Sequence, residues 1–361
     1  MIITALCKVV DNYGDVGVVW RMCRNLKFQN PECEINLVID DLVSFNKICS
    51  QVDSTLDFQI VDSVSVYNWN NCDYCHEKFS ENDGEKLSII LECFQCGRPE
   101  WMEKILFEEK LERTVNVIMI DYLTAEKYAE DFHGLDSLTR SAKVQKVNFM
   151  PGFTEKTGGL IIDNNWRVLK DWQRTGDILV FTYEKNWSAL ANALKKSGKK
   201  VLLAQGRGRD SFFNASKENG LDITELPYLN QENWDDIMQN CSCLIIRGEE
   251  SMSRACLSGI PFVWHAYPQS DEYQMVKVNA LLDRMERHFE KKDFAIVRNA
   301  WNCINENEQN VCSNAAENYY SEFIGNIENL VYGFKEFALD LRKNGDLCAN
   351  LMTFINKKCI M

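Results

Sequence analysis

Short apolar runs, separated by polar stretches with helical character, organise this chain. The first is 2–10 (IITALCKVV), followed by 35–40 (INLVID), 58–62 (FQIVD), 88–94 (SIILECF) and 115–121 (VNVIMID). Runs this short, rich in Ile and Val and bounded by turn residues, predict buried strands. Residues 42–52 and 124–132 fill gaps between them with helical or irregular sequence, an alternation that predicts parallel βαβ units. Residues 66–87 are polar and poorly periodic, and an insertion or long loop is expected there. The pattern breaks at Pro151-Gly152-Phe153-Thr154-Glu155-Lys156-Thr157-Gly158-Gly159. A second series then starts: strands at 178–183, 200–205, 222–228, 243–247 and 261–265, with helices at 187–198, 231–240, 249–258 and 273–290. From 315 to 358, Tyr319, Phe323, Ile327, Leu330, Phe334, Phe337 and Leu341 recur at helical spacing. Two α/β halves with a helical tail is the predicted architecture.

Composition narrows the function classes. At 361 residues the chain suits two domains better than one core. The charge balance, 40 − 53 = −13, argues against a nucleic-acid or anionic-membrane partner. No apolar run approaches the roughly 18 residues of a membrane span. Residues 1–20 carry neither a basic leader nor a small-residue cleavage site, so no signal peptide is expected. Fifteen cysteines in such a chain are expected to be reduced, in the cytoplasm.

Two polar segments stand where an α/β sheet opens its ligand crevice. The first, Asp11-Asn12-Tyr13-Gly14-Asp15-Val16-Gly17, follows the first strand and puts two carboxylates four residues apart beside glycines. Helix capping, metal binding and catalysis all use such a pair. The second, Arg247-Gly248-Glu249-Glu250-Ser251, joins a strand to a helix whose free N–H groups attract phosphate or carboxylate, with Arg247 as a charged fork. Glu249 and Glu250 equally suit a helix N-terminus on electrostatic grounds alone. In Pro261-Phe262-Val263-Trp264-His265-Ala266-Tyr267-Pro268-Gln269, Tyr267 and Gln269 are expected to point into the crevice, while His265 reads as a hydrogen-bonded core histidine before a catalyst.

Other motifs carry less. Cys72-x2-Cys75 and Cys93-x2-Cys96 have a four-thiolate zinc spacing. However, Cys93 and Cys96 sit in or just after a strand, whose period of two points them to opposite faces. Cys72-Asp-Tyr-Cys75-His76 matches haem attachment, which an acidic cytosolic α/β chain does not favour. Gly206-Arg207-Gly208-Arg209 follows a strand and could cradle a phosphate, but it lacks the P-loop lysine. No dinucleotide fingerprint, Ser-His-Asp set or H-E-x-x-H occurs.

Four stretches carry a resemblance: CKVVDNYGDVGVVWR at 7–21, IDYLTAE at 120–126, FMPGFTEKTGGLI at 149–161 and IIRGEESMSRACLSGIPFVWHAYPQ at 245–269. In this order they resemble the bacterial protein-arginine rhamnosyltransferases that modify elongation factor P. The resemblance implies a GT-B glycosyltransferase: two Rossmann-like domains facing across a cleft, at 1–163 (acceptor side) and 176–335 (nucleotide sugar), with a C-terminal helix over 336–361 packing back on the first. It implies a cytoplasmic, metal-independent, inverting transfer of rhamnose from dTDP-β-L-rhamnose to an arginine of elongation factor P, with no cofactor.

Residue by residue, the resemblance puts Asp15 on the general base, Asp11 on the second acidic position and Glu249 on the essential glutamate. Asn12, Tyr13 and Gly14 fall in a substrate-binding loop, with Gly14 and Gly17 leaving room for an arginine. Arg247, Glu250 and Ser251 fall around the diphosphate. Phe181, Tyr183 and Tyr228 fall around the thymine and ribose, Gln231 on a nucleotide contact, and Tyr267 and Gln269 in the donor site. Three positions depart from the family pattern: Glu250 replaces Asp, Met252 replaces Phe, and Asp121 replaces Glu. Tyr228 stands where Phe is common, and either ring can stack on a base. A GT-B enzyme with another nucleotide sugar or acceptor, and a non-catalytic binding protein of this fold, are the competing readings.

Overall fold

The computed structural model describes residues 1–10, 13–109, 111–163, 176–269, 271–306 and 313–359. The chain divides into two compact units, Met1–Asp163 with Asn344–Met361, and Asn164–Lys343.

The first unit is built on an eight-stranded sheet. Its strands are β1 (Ile2–Cys7), β2 (Glu34–Ile39), β3 (Phe58–Val61), β4 (Val64–Asn68), β5 (Ile89–Cys93), β6 (Val115–Ile120), β7 (Asp136–Ser137) and β8 (Val144–Phe149), in the order β3-β4-β2-β1-β5-β6-β8-β7. The six inner strands are parallel, and β3 and β7 pair antiparallel at the edges. Strand order therefore reverses between β1 and β5, which places a crevice at their C-terminal ends.

Period-two alternation divides β1 between two core layers: Ile3, Ala5 and Cys7 enter one and Leu6 the other. On the first layer lie α1 (Gly14–Gln29) and α2 (Leu42–Ile48), through Trp20, Leu26 and Phe45. On the second lie α3 (Cys72–Gly84) and α4 (Glu100–Phe107), through Cys75, Phe79, Met102 and Ile105. The short α5 (Tyr128–Phe132) precedes β7.

Residues 66–87 are therefore not a loop. They complete β4 and form α3, in which Asn71 caps by accepting from the Tyr74 N–H and Cys75 and Phe79 supply a narrow buried stripe. Four-residue spacing of two apolar side chains is too sparse to register as periodicity. A two-residue turn, Asp62-Ser63, joins β3 to β4 with φ of 46° and 64°, matching the twist of a tight hairpin. The stretch 124–132, expected to be helical or irregular, is both: Thr124 bridges to Gly152 and the helix α5 follows at Tyr128–Phe132.

The second unit has a five-stranded parallel sheet: β9 (Ile178–Val180), β10 (Val201–Leu203), β11 (Ile223–Glu225), β12 (Cys243–Arg247) and β13 (Phe262–His265), ordered β11-β10-β9-β12-β13. The same reversal falls between β9 and β12. Its helices are α6 (Ser188–Ser197), α7 (Arg209–Asn219), α8 (Gln231–Asn240), α9 (Glu249–Ser258), α10 (Tyr273–Met285), α11 (Lys291–Asn305), α12 (Ser313–Gly325) and α13 (Ile327–Arg342).

The last helix, α14 (Leu347–Cys359), belongs to the first unit, where Leu347, Cys348, Leu351, Met352 and Ile355 complete the layer beside α1. The return begins at Asn344, eight residues after the expected 336, because α13 keeps Phe337, Ala338 and Leu341 buried up to its end. Asp346 secures the crossing by accepting from the Ile162 N–H (2.7 Å) and from the side chains of Asn25 (3.1 Å) and Gln29 (2.9 Å).

Candidate active site

In the first unit, Asp15 occupies the first turn of α1, where the helix N-terminus favours a negative charge. Its carboxylate is buried at 4% exposure. The Val10 N–H donates to Oδ2 at 2.9 Å and the Tyr122 hydroxyl to Oδ1 at 3.4 Å. Tyr122 stacks on Phe94, with centroids 4.6 Å apart and planes at 16°. Phe94 follows β5 and Tyr122 follows β6, so the ring pair stands at two neighbouring strand ends and reaches the carboxylate through the Tyr122 hydroxyl. Gly14 begins α1, Tyr13 precedes it half-exposed, and the Gly17 N–H closes the turn on Tyr13 O at 3.0 Å. Asp11 and Asn12 lie outside the described residues.

Sequence reasoning left Tyr122 and Phe94 out of the site. Their signal was positional, since each lies just past a strand at its ligand-facing end. Asp121, short for its family position, accepts from its own Tyr122 N–H (2.8 Å) and from Gln95 (3.4 Å). Nearby thiols are quiet: burial, then the charge of Asp15, raises Cys7 well above its ordinary value, and burial pushes Cys96 up to about 12.

In the second unit, Arg247 ends β12 with its guanidinium 4.4 Å over Phe181 and 4.6 Å over Tyr183. Gly206 makes this stack possible, for a Cβ there would come 2.8 Å from the Phe181 ring and 3.0 Å from Arg247 Nη2. The Arg247 Nε is buried with no hydrogen-bond partner among the described residues. Phe181 also meets Trp234 edge-on at 5.0 Å, and the Trp234 indole N–H donates to Ser251 Oγ at 3.2 Å. The buried Gln231 donates to Glu250 Oε1 at 3.4 Å. Glu250 thus uses its longer arm to reach α8, and Met252 fills a buried core position as the usual Phe would.

Glu249 opens α9 behind Gly248, whose φ of 79° and ψ of 154° suit glycine, and pairs with Lys277 at 3.4 Å. Buried Arg254 and Asp235, 3.0 Å apart, tie α9 to α8. Trp234 was absent from the expected site, because its partners Phe181 and Ser251 are distant in sequence.

Tyr267 stands perpendicular to Tyr183 at 5.3 Å and is half-exposed, whereas Tyr228 and Gln269 lie on exposed loops after β11 and β13. His265 is a core residue: its Nδ1 accepts from the Tyr183 N–H at 3.2 Å between the rings of Tyr183 and Trp187. Burial, then the charges of Lys185 and Arg247, lowers it to about 3, so it is neutral at pH 7.

The Gly206–Arg209 loop is structural at its second glycine. The Gly208 N–H donates to Thr182 O at 3.1 Å, and a Cβ there would meet that oxygen at 2.3 Å. Arg209 pairs with Glu225 and Asp210. The cysteine pairs separate: Cys72 is exposed and Cys75 buried, while Cys93 and Cys96 pack against opposite core layers. Among the described residues, no group of three or more His, Cys, Asp or Glu is placed to hold a metal.

Two parallel sheets with loops of this kind recur in many sugar-transfer enzymes, and comparison with known proteins decides among them. The profile of the family described as "Elongation-Factor P (EF-P) rhamnosyltransferase EarP" matches residues 3–356. The chain belongs to this family. A protein-arginine rhamnosyltransferase of Shewanella oneidensis is 28% identical over an alignment covering 97% of this chain and 96% of that protein. A solved structure described as the "Structural basis for EarP-mediated arginine glycosylation of translation elongation factor EF-P" superposes with a TM-score of 0.59 at 17% identity, covering 98% of each chain. MurG of Acinetobacter baumannii superposes at 0.52 and 11% identity, covering 99% of this chain and all of that one. The fold is that of the GT-B glycosyltransferases. No helix among the described residues is long and apolar enough to cross a membrane.

Proposed function

We propose that this protein transfers L-rhamnose from dTDP-β-L-rhamnose to an arginine side chain of elongation factor P, with inversion at the anomeric carbon, in the cytoplasm where translation factors work, and that the modification activates the factor. The observation that carries the reading is the buried Asp15 carboxylate, fixed by an amide and a phenol at the crevice of the first sheet.

An arginine guanidinium stays protonated far above neutral pH and is a poor nucleophile in water. Asp15 orients one nitrogen and takes its proton as that nitrogen bonds to the sugar C1 and the C1–O bond to dTDP breaks. The C1 centre develops oxocarbenium character, and the departing diphosphate gathers negative charge. Arg247, Ser251 and the amides at the start of α9 are suited to receive that charge. Phe181, Tyr183, Tyr228, Gln231, Tyr267 and Gln269 are assigned to the thymidine end, Glu249 and Glu250 to the sugar and diphosphate, and Asp11, Asn12, Tyr13 and Gly14 to the acceptor. No cofactor beyond the donor enters this scheme, and turnover in EDTA is expected to match turnover in buffer.

Incubation with dTDP-β-L-rhamnose and elongation factor P bearing arginine at its loop tip should add one deoxyhexose to the acceptor, and NMR of the glycopeptide should show an α linkage. An unmodified acceptor mass with folded enzyme sinks the proposal. Displacement of bound dTDP by UDP at equal concentration would shift it to another nucleotide sugar.

A further inference from the structure

The Phe94–Tyr122 pair stands just past the ends of β5 and β6, and Tyr122 bonds the buried Asp15 carboxylate. Both rings are partly buried, Phe94 packs against the core layer beside α1, and the backbone pins the pair in place. The Phe94 N–H donates to Ile120 O at 2.7 Å, and Gln95 and the Tyr122 N–H share the Asp121 carboxylate. Phe94 and Gln95 hold φ of 56° and 54°. Left-handed conformations cost a side-chain-bearing residue energy, and Gly or Asn would fill a tight turn more cheaply. An aromatic kept in that conformation at the end of a parallel strand, stacked on the tyrosine that bonds a buried carboxylate, points to a use for the ring.

A carboxylate next to a flat aromatic surface has the chemistry of a planar cation site. Guanidinium groups stack on ring faces and bond carboxylates through their forked N–H edge, whereas an ammonium, a compact hydrated point charge, gains less from the ring. We infer that Tyr122 and Phe94 are positioning and specificity residues for the acceptor. The Tyr122 hydroxyl orients Asp15, and the ring pair selects a guanidinium over an ammonium. This rests on the reading that the acceptor is an arginine of a protein, though not on the identity of the sugar.

The two roles separate by kinetics and by binding. Tyr122→Phe keeps the ring and removes the hydroxyl, so kcat should fall about tenfold or more with the acceptor KM little changed, as befits a group acting through the base. Phe94→Leu should weaken acceptor binding about fivefold, the range of a partly desolvated cation–π contact, with kcat nearly retained. Phe94→Tyr should restore it. Phe94→Gly, which relieves the backbone, should stay folded and bind as poorly as Phe94→Leu.

Calorimetric titration of elongation factor P without donor provides a readout independent of turnover. The wild-type chain should bind the loop-tip arginine form more tightly than an arginine-to-lysine form, and Phe94→Leu should bind the two alike. Retained discrimination in Phe94→Leu, or unchanged kcat in Tyr122→Phe, overturns the inference. Absence of transfer by the wild-type chain with Phe94-dependent discrimination intact overturns the sugar assignment and supports this one. If the wild-type chain binds neither form, both fall.

Discussion

Between β1 and β5 the first unit presents a buried carboxylate, a tyrosine hydroxyl and a stacked aromatic pair. Between β9 and β12 the second presents a guanidinium over two rings, a buried serine and the N-terminus of α9. Both edges arise at the same reversal of strand order, so the sheet decides where a site stands and the loops decide what it holds. The two edges are also stiffened differently. Asp15 is oriented by a backbone amide and a phenol, whereas α9 is fixed by a buried ion pair. One edge is suited to a cationic nucleophile and the other to an anionic leaving group.

That contrast breaks first at Asp15. Asp15→Asn keeps shape and hydrogen-bonding capacity but cannot take a proton, so kcat should fall about a hundred- to ten-thousand-fold, the usual worth of a general base. Affinity for dTDP, measured by calorimetry, should be unchanged. A loss of dTDP binding in this variant would mean the two edges do not divide the labour.

The next largest effect should fall on stability. Arg254→Met removes the buried cation that pairs with Asp235 in the interior of the second unit, at a cost of about 3–5 kcal/mol by urea denaturation. Pairing it with Asp235→Leu should recover part of that loss. Arg247→Ala should weaken dTDP binding by about ten- to a hundredfold, because a charged hydrogen-bond partner is lost, with acceptor affinity untouched. Arg247→Lys should rescue only partly, since an ammonium keeps the charge but not the planar stack on Phe181 and Tyr183.

The smallest effect is a slope. His265 takes a proton near its ordinary value when unfolded and only near pH 3 when folded. Its contribution is therefore fully present above about pH 6.5 and is lost progressively as pH falls from there toward 3. By pH 5 the loss amounts to about 2 kcal/mol. His265→Asn retains an acceptor for the Tyr183 N–H, so its melting temperature should fall less than that of the wild type between pH 7 and 5. Parallel curves would contradict the assignment.

Much of this was legible in the chain. The β1–α1 junction announced itself because an apolar run ends abruptly in Asp-Asn-Tyr-Gly-Asp, and the β12–α9 junction because a strand runs into Arg-Gly-Glu-Glu-Ser. Cys93 and Cys96 fell on opposite faces, as strand period requires. Illegible features depend on contacts without local pattern. Phe94 and Tyr122 meet because β5 and β6 are neighbours, and Trp234 finds Ser251 because α8 lies against α9. Helix α3 stayed hidden because two buried side chains, Cys75 and Phe79, make its stripe, and its cap at Asn71 looked like one more polar residue. The crossing at Asn344 was displaced because α13 and α14 are both amphipathic, and only the glycine at 345 and the carboxylate of Asp346 mark where one unit stops.

The return of α14 bears on how the molecule is made. A ribosome delivers β1 to β8 first, and on most two-unit chains the leading unit folds while the rest is still being synthesised. Here the layer beside α1 has a missing wall until 347–355 emerges, some 180 residues later. That layer is complete only after nearly the whole polypeptide has been translated, so a chain cut short before 347 leaves a first unit with an open apolar face.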